Sequence, residues 1–185
     1  MKKIILASAS PRRKELLTTA GVEFEVLVSD ADETIPEGTL PADAAMLTAE
    51  KKALAVAEKC TNAVVIGADT IVVLDGRILG KPKDEADAKA MLRFLSGREH
   101  EVITGVCLTD GTKIEKFAQV SRVGFYELTD DEISAYVATR EPMDKAGAYG
   151  IQGRGCVLVE RIEGDYFNIV GLPVAATVRA IKDFA

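Results

Sequence analysis

The sequence predicts an α/β protein in which strand segments alternate with helices. Apolar runs of strand length recur between segments whose apolar residues have helical spacing. One of these runs, 63–68, is apolar throughout, which is typical of a central strand covered on both faces. The chain has 185 residues, of which 48% are hydrophobic, so it can bury a core as one domain or two small lobes.

The first part of the chain is predicted to alternate strand and helix before a longer helix. Its segments are a strand from Lys2 to Ala7, a helix from Arg12 to Ala20, a half-buried strand from Glu23 to Val28 and an alanine-rich helix from Pro41 to Lys59. The run 63–68 then passes through Asp69-Thr70 into a second run, 71–74. Asp75-Gly76 is a hairpin turn signal, and 77–79 is the return strand.

Capping and turn signals divide the rest of the chain into predicted helices and strands. Asp84 is predicted to cap a helix that reaches Leu95, and Thr129 to Glu132 forms a capping box for a helix to about Thr139. The other predicted segments are strands at 101–109, 113–126, 156–162 and 166–170 and a last helix at 174–183, with a turn at Asp110-Gly111.

Composition excludes several classes of function. The net charge of −6 and a pI near 5.0 argue against nucleic-acid polymers as partners, so any anion site must be local. Three distant cysteines and one histidine form no zinc motif, and we expect buried, reduced thiols and a cytoplasmic location. The apolar run at the start is too short for a signal peptide, and no segment is long enough to span a membrane.

The start of the first helix is the strongest local signal. Ser10 is a good N-cap and Pro11 suits the first helical position. Arg12, Arg13 and Lys14 follow at once, although the helix dipole disfavours cations there. A bound phosphate would relieve this conflict, and an exposed basic helix start is the alternative.

Further candidates for chemistry lie along the chain. The acidic loop 29–38 offers carboxylates for a divalent cation or is simply solvated, and Lys51 or Lys52 could point into a site. Asp69, in a mostly apolar stretch, must be paired, bound to metal or at a strand end that faces a cleft, and a role as base or ligand is favoured over structural pairing. The loop at 80–84 adds lysines. The segment 140–155, which has four glycines at 147–155 and is called the glycine-rich segment below, is either a binding loop or a flexible connection. His100 is expected to be a structural histidine.

Together these features suit hydrolysis of a nucleotide phosphoanhydride, with cations to hold phosphates and carboxylates to hold a divalent ion and activate water. Neither a P-loop nor a dinucleotide-binding glycine motif occurs in the sequence.

Several motifs, in order along nearly the whole chain, resemble those of the Maf family of nucleoside triphosphate pyrophosphatases. They are Ser8-Ala9-Ser10-Pro11-Arg12-Arg13, Asp32-Glu33, Ala49-Glu50-Lys51-Lys52-Ala53, Gly67-Ala68-Asp69-Thr70, Gly80-Lys81-Pro82, Leu95-Ser96-Gly97 with His100, Thr104-Gly105-Val106, Glu141-Pro142 and Gly171-Leu172-Pro173. The segment Asp144 to Gly153 looks like the branch that acts on dTTP and UTP, rather than the one associated with 7-methyl-GTP.

The resemblance implies one Maf-like domain over residues 1–185, with an elongated twisted mixed β-sheet, flanking helices and two lobes around a central cleft, as in inosine triphosphatases. It implies hydrolysis of a nucleoside triphosphate to the monophosphate and pyrophosphate with a divalent metal, magnesium or manganese, and suggests a homodimer.

Carried onto this chain, the family's residues take four roles. Asp69 is the general base, and Glu33 with Asp69 is the metal environment. Four residues hold the triphosphate: Ser8, Arg13, Lys52 and Lys81. Three residues set the choice of nucleobase: Arg12, Thr70 and Gln152. Two rival functions stay open: a pyrophosphatase for deaminated purines such as ITP and XTP, and a nucleotide-binding regulator of septum formation without turnover.

Overall fold

The structure is a computed structural model that describes residues 2–184. Strands and helices alternate through most of it, as predicted. The strands are β1 (Lys3–Leu6), β2 (Glu25–Val26), β3 (Ala63–Leu74), β4 (Arg77–Leu79), β5 (Glu99–Thr109), β6 (Ile114–Phe125) and β7 (Val159–Glu163). The α-helices are α1 (Pro11–Thr19), α2 (Pro41–Ala57), α3 (Glu85–Leu95), α4 (Asp130–Ala138), α5 (Tyr166–Val170) and α6 (Val174–Lys182). Short 3₁₀ helices occupy Glu141–Asp144, Ala146–Ala148 and Gly153–Leu158.

The seven strands form one mixed sheet in the order β2-β1-β3-β5-β6-β7, and β4 pairs with β3. β1 runs parallel to both β2 and β3, which requires the connecting helices α1 and α2. β3 with β4 and β6 with β7 are antiparallel pairs. The predicted α/β class, with a mixed sheet and flanking helices, is therefore confirmed.

The chain forms two compact units, which divide β3, β5 and β6 between them. The first unit comprises 1–70, 104–119 and 171–185, and the second comprises 71–103 and 120–170. In the first unit, alanines of α2 pack on β1 and β3, with Ile5, Val56 and Val65 in the same cluster. The second unit has the larger apolar cluster, built from α3, α4 and the adjoining strands around Leu92, Phe125 and Ile133.

The three predicted helix caps are confirmed. Ser10 accepts a hydrogen bond from the Arg13 amide, and Asp84 accepts one from the Asp87 amide. Thr129 and Glu132 form the reciprocal capping box at the start of α4. Because these signals depend on residues three apart, they can be recognised without knowledge of the tertiary fold.

Several sequence predictions were wrong in detail. The segment 166–170 is the helix α5 rather than a strand. Of the strand predicted at 156–162, residues 156–158 end the 3₁₀ helix Gly153–Leu158, and only 159–162 lie in a strand, β7. A short apolar run has no periodicity that separates helix from strand. The predicted strand at 23–28 pairs only at Glu25–Val26, while β3 continues unbroken through Asp69. Cys60 is half-buried and Cys156 exposed, so only Cys107 is a buried thiol.

Within residues 2–184, none of the helices combines the length and the apolar character that crossing a bilayer would require.

Candidate active site

The turn between β1 and α1 forms one side of the candidate site in the first unit. Ser8 lies two residues after the end of β1. It is buried, and its Oγ accepts a hydrogen bond from the Ser10 amide at 3.2 Å. Ser10 then caps α1 above Pro11. The turn therefore places the start of α1 beside the end of β1, where the Arg13 guanidinium contacts Ser8.

Arg13 is a buried cation with neutral partners. Arg13 is only 9% exposed, and its Nε donates a hydrogen bond to the Gly171 carbonyl at 2.8 Å. Nη1 donates to Ser8 Oγ at 3.0 Å and Nη2 to Thr70 Oγ1 at 3.1 Å. Burial lowers the pKa of Arg13 from its usual value, while the nearby Asp69 carboxylate opposes this shift. Because the guanidinium still carries its charge at neutral pH, a buried site of this kind favours an anion beside it.

Thr70 connects the arginine to the centre of the sheet. Its Oγ1 lies 2.9 Å from Thr104 Oγ1 on β5 and accepts from Arg13. Thr70 is thus held on two sides, next in sequence to Asp69. Arg12, in contrast, is only half-buried.

Close packing of α2 on β3 brings Lys52 to Asp69. A Cβ at Gly67 would lie 2.1 Å from the Ala49 carbonyl oxygen, so only glycine allows this approach. Asp69 follows two residues later on the same face of β3, while Lys52 lies one turn further along α2 than Ala49. Lys52 Nζ donates to Asp69 Oδ1 at 2.8 Å. Spacing left open which of the two lysines points inward and the family resemblance indicated Lys52; in the structure Lys52 is the one that pairs with Asp69.

Glu33 also contacts this lysine. Its Oε2 lies 3.1 Å from Lys52 Nζ; its side chain is 59% exposed, against 20% for Asp69. The neighbouring lysine, Lys51, donates to the Thr34 carbonyl at 2.6 Å and so holds the acidic loop on α2. Two carboxylates from distant segments thus converge on one cationic group.

The donor set around Lys52 suits a hard divalent cation that binds together with an anionic ligand. Glu33 and Asp69 supply carboxylate oxygens, and both already face a positive charge. Within residues 2–184, no three histidine, cysteine or acidic side chains come together as a metal cluster.

Lys81 and Gln152 belong to the second unit. Lys81 is exposed on the loop after β4, and Gln152 is half-buried just before the 3₁₀ helix Gly153–Leu158. The amide of Gly147 donates to the Gly80 carbonyl at 3.0 Å, which ties the lysine loop to the glycine-rich segment. Gly147 has φ +67°, and a Cβ there would press on Val72 at 3.0 Å. The glycine-rich segment is therefore an organised loop rather than a flexible connection.

Sequence reasoning overlooked the residues that organise this loop. The Glu141 carboxylate accepts backbone N–H bonds from Arg154 at 3.0 Å and Gly155 at 3.1 Å, and the Tyr136 hydroxyl accepts one from Gly150 at 3.2 Å. The only sequence signal was the Glu141-Pro142 pair, which had no assigned role.

His100 is structural, as predicted. It is 2% exposed, and its Nε2 lies 2.8 Å from the Tyr149 hydroxyl. Its ring meets the rings of Phe125 and Tyr149 edge-on. Burial lowers the pKa of His100 to about 4, so the ring is neutral at pH 7.

The fold and the site define an α/β protein in which a helix start with a buried arginine lies in the same compact unit as a centre of two carboxylates and a lysine. The model of the Maf-like protein family matches residues 3–184, and the chain belongs to that family.

Its relatives are close. A dTTP/UTP pyrophosphatase of Bacillus cytotoxicus is 57% identical over 184 residues, covering 100% of this chain and 96% of the relative. The dTTP/UTP pyrophosphatases of Bacillus mycoides and Bacillus cereus ATCC 10987 are 56% and 55% identical over the whole chain, covering 96% and 91% of those relatives. Among solved structures, the Ham1 protein of Staphylococcus aureus aligns with a TM-score of 0.49 at 18% identity, over 83% of this chain and 78% of that one.

Proposed function

We propose that this protein is a nucleoside triphosphate pyrophosphatase that hydrolyses dTTP and UTP to the monophosphate and pyrophosphate. The observation that carries the proposal is the buried, charged Arg13 guanidinium, whose three hydrogen bonds all go to neutral oxygens, in the same unit as the ion-paired Asp69. Relatives that are more than half identical and nearly equal in length are dTTP/UTP pyrophosphatases, which supports this substrate class.

In this proposal, cationic and hydroxyl groups hold the triphosphate; they are Ser8, Arg13, Lys52 and Lys81. The arginine and serine are already joined by a hydrogen bond, so their geometry costs little to organise when phosphate binds. Attack at the α-phosphorus makes pyrophosphate the leaving group, and negative charge grows on the β and γ side. Lysine and arginine donors stabilise that charge most in the transition state.

Asp69 acts as the general base that takes a proton from the attacking water. Its carboxylate is only one-fifth exposed and its ion pair with Lys52 fixes its orientation. A carboxylate held in this way can accept the proton without first reorganising a full hydration shell. Electrons from the water oxygen form the new bond to the α-phosphorus, while the bond to the bridging oxygen breaks and pyrophosphate departs.

A divalent cation, magnesium or manganese, would be held by Glu33 and Asp69 with the phosphates of the substrate. Both carboxylates lie within 3.1 Å of the same Lys52 ammonium, so they are close enough to each other to share one cation. Such an ion would screen the charge of the phosphates.

The choice of nucleobase is set by Gln152, Arg12 and Thr70. The primary amide of Gln152 offers a donor and an acceptor, which match the alternating groups on the imide edge of uracil or thymine. Thr70 already bonds to Arg13 and Thr104, so it links this selection to the phosphate-binding arginine. The homodimer, the cytoplasmic location and the single domain over 1–185 stay predictions.

Product analysis of the wild type and Asp69→Asn tests the proposed function. The panel is dTTP, UTP, CTP, GTP, ITP and 7-methyl-GTP, each with magnesium, manganese or a chelator. We expect pyrophosphate from dTTP and UTP, no product with the chelator, and a loss of about 10³-fold or more in kcat for Asp69→Asn with nucleotide affinity within a few fold. The exposed Asp131→Asn is the matched control and should keep full activity.

Each alternative outcome has a distinct meaning. Orthophosphate as the first product would place the attack at the γ-phosphorus and contradict the mechanism. A preference for ITP would favour the purine-directed pyrophosphatase. Tight binding of UTP without any product would favour the non-catalytic regulator, and full activity of Asp69→Asn would remove Asp69 as the base.

A further inference from the structure

We infer that Glu141, together with Tyr136, is a positioning residue that fixes residues 150–155 of the glycine-rich segment for recognition of the nucleobase; the inference rests on the proposed role of Gln152. Both residues belong to the same compact unit as the loop. Neither is part of the proposed catalytic group around Asp69.

The Glu141 carboxylate grips the loop after Gln152. Its Oε2 accepts from the Arg154 amide at 3.0 Å, and its Oε1 accepts from the Gly155 amide at 3.1 Å. Oε1 also accepts from the Tyr136 hydroxyl at 3.0 Å. Both oxygens of one carboxylate are therefore used to hold two successive backbone amides.

Tyr136 holds the loop before Gln152. Its hydroxyl donates to Glu141 and accepts from the Gly150 amide at 3.2 Å. The tyrosine ring lies in the apolar cluster of the second unit, and the residue is buried. Gly150 and Gly155 are thus tied to one rigid anchor, and Gln152 lies in the short span between these two points.

Glycines allow the loop to close on this anchor. A Cβ at Gly155 would lie 2.2 Å from the Gly150 carbonyl oxygen and 2.6 Å from the Tyr136 hydroxyl. At Gly153, where φ is +71°, a Cβ would lie 2.8 Å from Glu141 Oε2. The glycines at these positions therefore suit a loop fitted against the carboxylate rather than a loop that must move freely.

The protonation states match this arrangement. Burial raises the pKa of Glu141, but hydrogen bonds from Arg154, Gly155 and Tyr136 outweigh it, and the net pKa lies below the usual value. Burial raises the pKa of Tyr136, and its bond to Glu141 adds to this shift. At neutral pH the glutamate therefore accepts with both oxygens while the tyrosine keeps the proton that it donates.

Glutamine cannot replace Glu141 in this role. Its amide has the same shape, but one carboxylate oxygen becomes an NH₂ group that only donates. In one orientation that NH₂ group would face the Arg154 amide, and in the other it would face the Gly155 amide and the Tyr136 hydroxyl. In either case two hydrogen-bond donors would meet, and one hydrogen bond to the loop would be lost. The loop then has to move to relieve the unsatisfied pair.

The test compares Glu141→Gln and Tyr136→Phe with matched controls, Glu127→Gln and Tyr126→Phe, at exposed positions in the same unit. We expect KM for dTTP and UTP to rise about tenfold in the first two variants, with kcat within about threefold of the wild type. Their preference for dTTP and UTP over CTP and GTP should fall toward that of Gln152→Ala. The controls should match the wild type.

Amide hydrogen exchange supplies a readout that needs no turnover. Without nucleotide, the amides of residues 150–155 should exchange at least about tenfold faster in Glu141→Gln and Tyr136→Phe. The reason is that this loop loses hydrogen bonds to the side chains of residues 141 and 136. Amides of α3 should exchange as in the wild type. If Glu141→Gln does not fold, Tyr136→Phe keeps the buried ring and still removes the hydroxyl contacts.

Three results would overturn the inference while leaving the proposed function intact. The first is an active wild type whose nucleotide ranking is unchanged in both variants. The second is unaltered hydrogen exchange in residues 150–155, and the third is a fall in kcat with KM and ranking preserved. A wild type that hydrolyses no nucleotide would refute the proposed function instead, and the exchange measurement would then decide alone whether Glu141 holds the loop.

Discussion

At the scale of single residues, similar side chains receive different roles from their surroundings. Arg12 and Arg13 are adjacent, yet only Arg13 is buried and bonded to Ser8, Thr70 and Gly171. Lys51 and Lys52 are adjacent as well; the first bonds to a loop carbonyl, and the second is paired with Asp69. Successive helical residues point about 100° apart, so only one of each pair faces the site.

The buried histidine gives a residue-scale prediction on pH. Burial lowers the pKa of His100 to about 4 from 6.5, so the unfolded chain binds the proton more readily than the folded one. The free energy of unfolding must therefore fall as the pH drops from about 7 to 4. For this group alone we expect a loss of about 2 kcal/mol between pH 7 and pH 5.

Urea unfolding at these two pH values checks this prediction against His100→Gln, whose side-chain amide stays neutral throughout. The wild type should lose about 2 kcal/mol more stability on acidification than the variant. Equal losses in both proteins would show that another group dominates the acid sensitivity.

At the scale of elements, the alanine-rich character of α2 has a structural purpose. Its buried residues include Ala45, Ala49 and Ala53, and they face glycines of the sheet. A Cβ at Gly67 or at Gly105 would collide with the α2 backbone, at 2.1 Å and 2.3 Å respectively. Small residues on both surfaces let the helix lie close enough to β3 for Lys52 to reach Asp69.

Gly67→Ala should separate these two elements. The added methyl group has to displace the backbone of α2, so we expect a loss of about 3 kcal/mol or more in the free energy of unfolding. Nucleotide turnover should fall with it because the Lys52 to Asp69 ion pair is stretched. Urea unfolding and a dTTP assay measure the two effects.

Gly80→Ala is the control for this variant, because a Cβ there meets no atom within 4 Å and its φ is not positive. Its unfolding free energy should stay within about 0.5 kcal/mol of the wild type. A stable Gly67→Ala protein with normal turnover would contradict the importance of this close approach.

At the scale of the whole molecule, β3, β5 and β6 each contribute residues to both compact units. Such shared strands favour one cooperative unfolding transition, in line with the predicted single domain. All four tyrosines lie in the second unit, at positions 126, 136, 149 and 166. Their fluorescence therefore reports on that unit alone, while far-UV circular dichroism reports on the whole chain.

We expect the urea midpoints from tyrosine fluorescence and circular dichroism to coincide. Coincident transitions by different probes are a standard sign of two-state unfolding. Separate midpoints would instead show that the two units unfold independently, and the single domain predicted for residues 1–185 would then be wrong.

Much of the architecture could be predicted because it depends on short-range signals. The caps at Ser10, Asp84 and Thr129 and the apolar run around Asp69 are recognisable within a few residues of sequence. The predictions failed where a short apolar segment had no periodicity. The segment 166–170 became a helix, where Asn168 bonds to the Val102 carbonyl on a distant strand.

By itself, the sequence determined the α/β class, the capped, cation-rich helix start and the family motifs, since these depend on residue type and local spacing. The tertiary structure decided that Lys52 meets Asp69, that Arg13 is the buried cation and that Glu141 holds the glycine-rich loop. The physical reason is that each of these choices depends on close packing and hydrogen bonds between segments distant in sequence. No local pattern encodes which member of an adjacent pair will face such a partner.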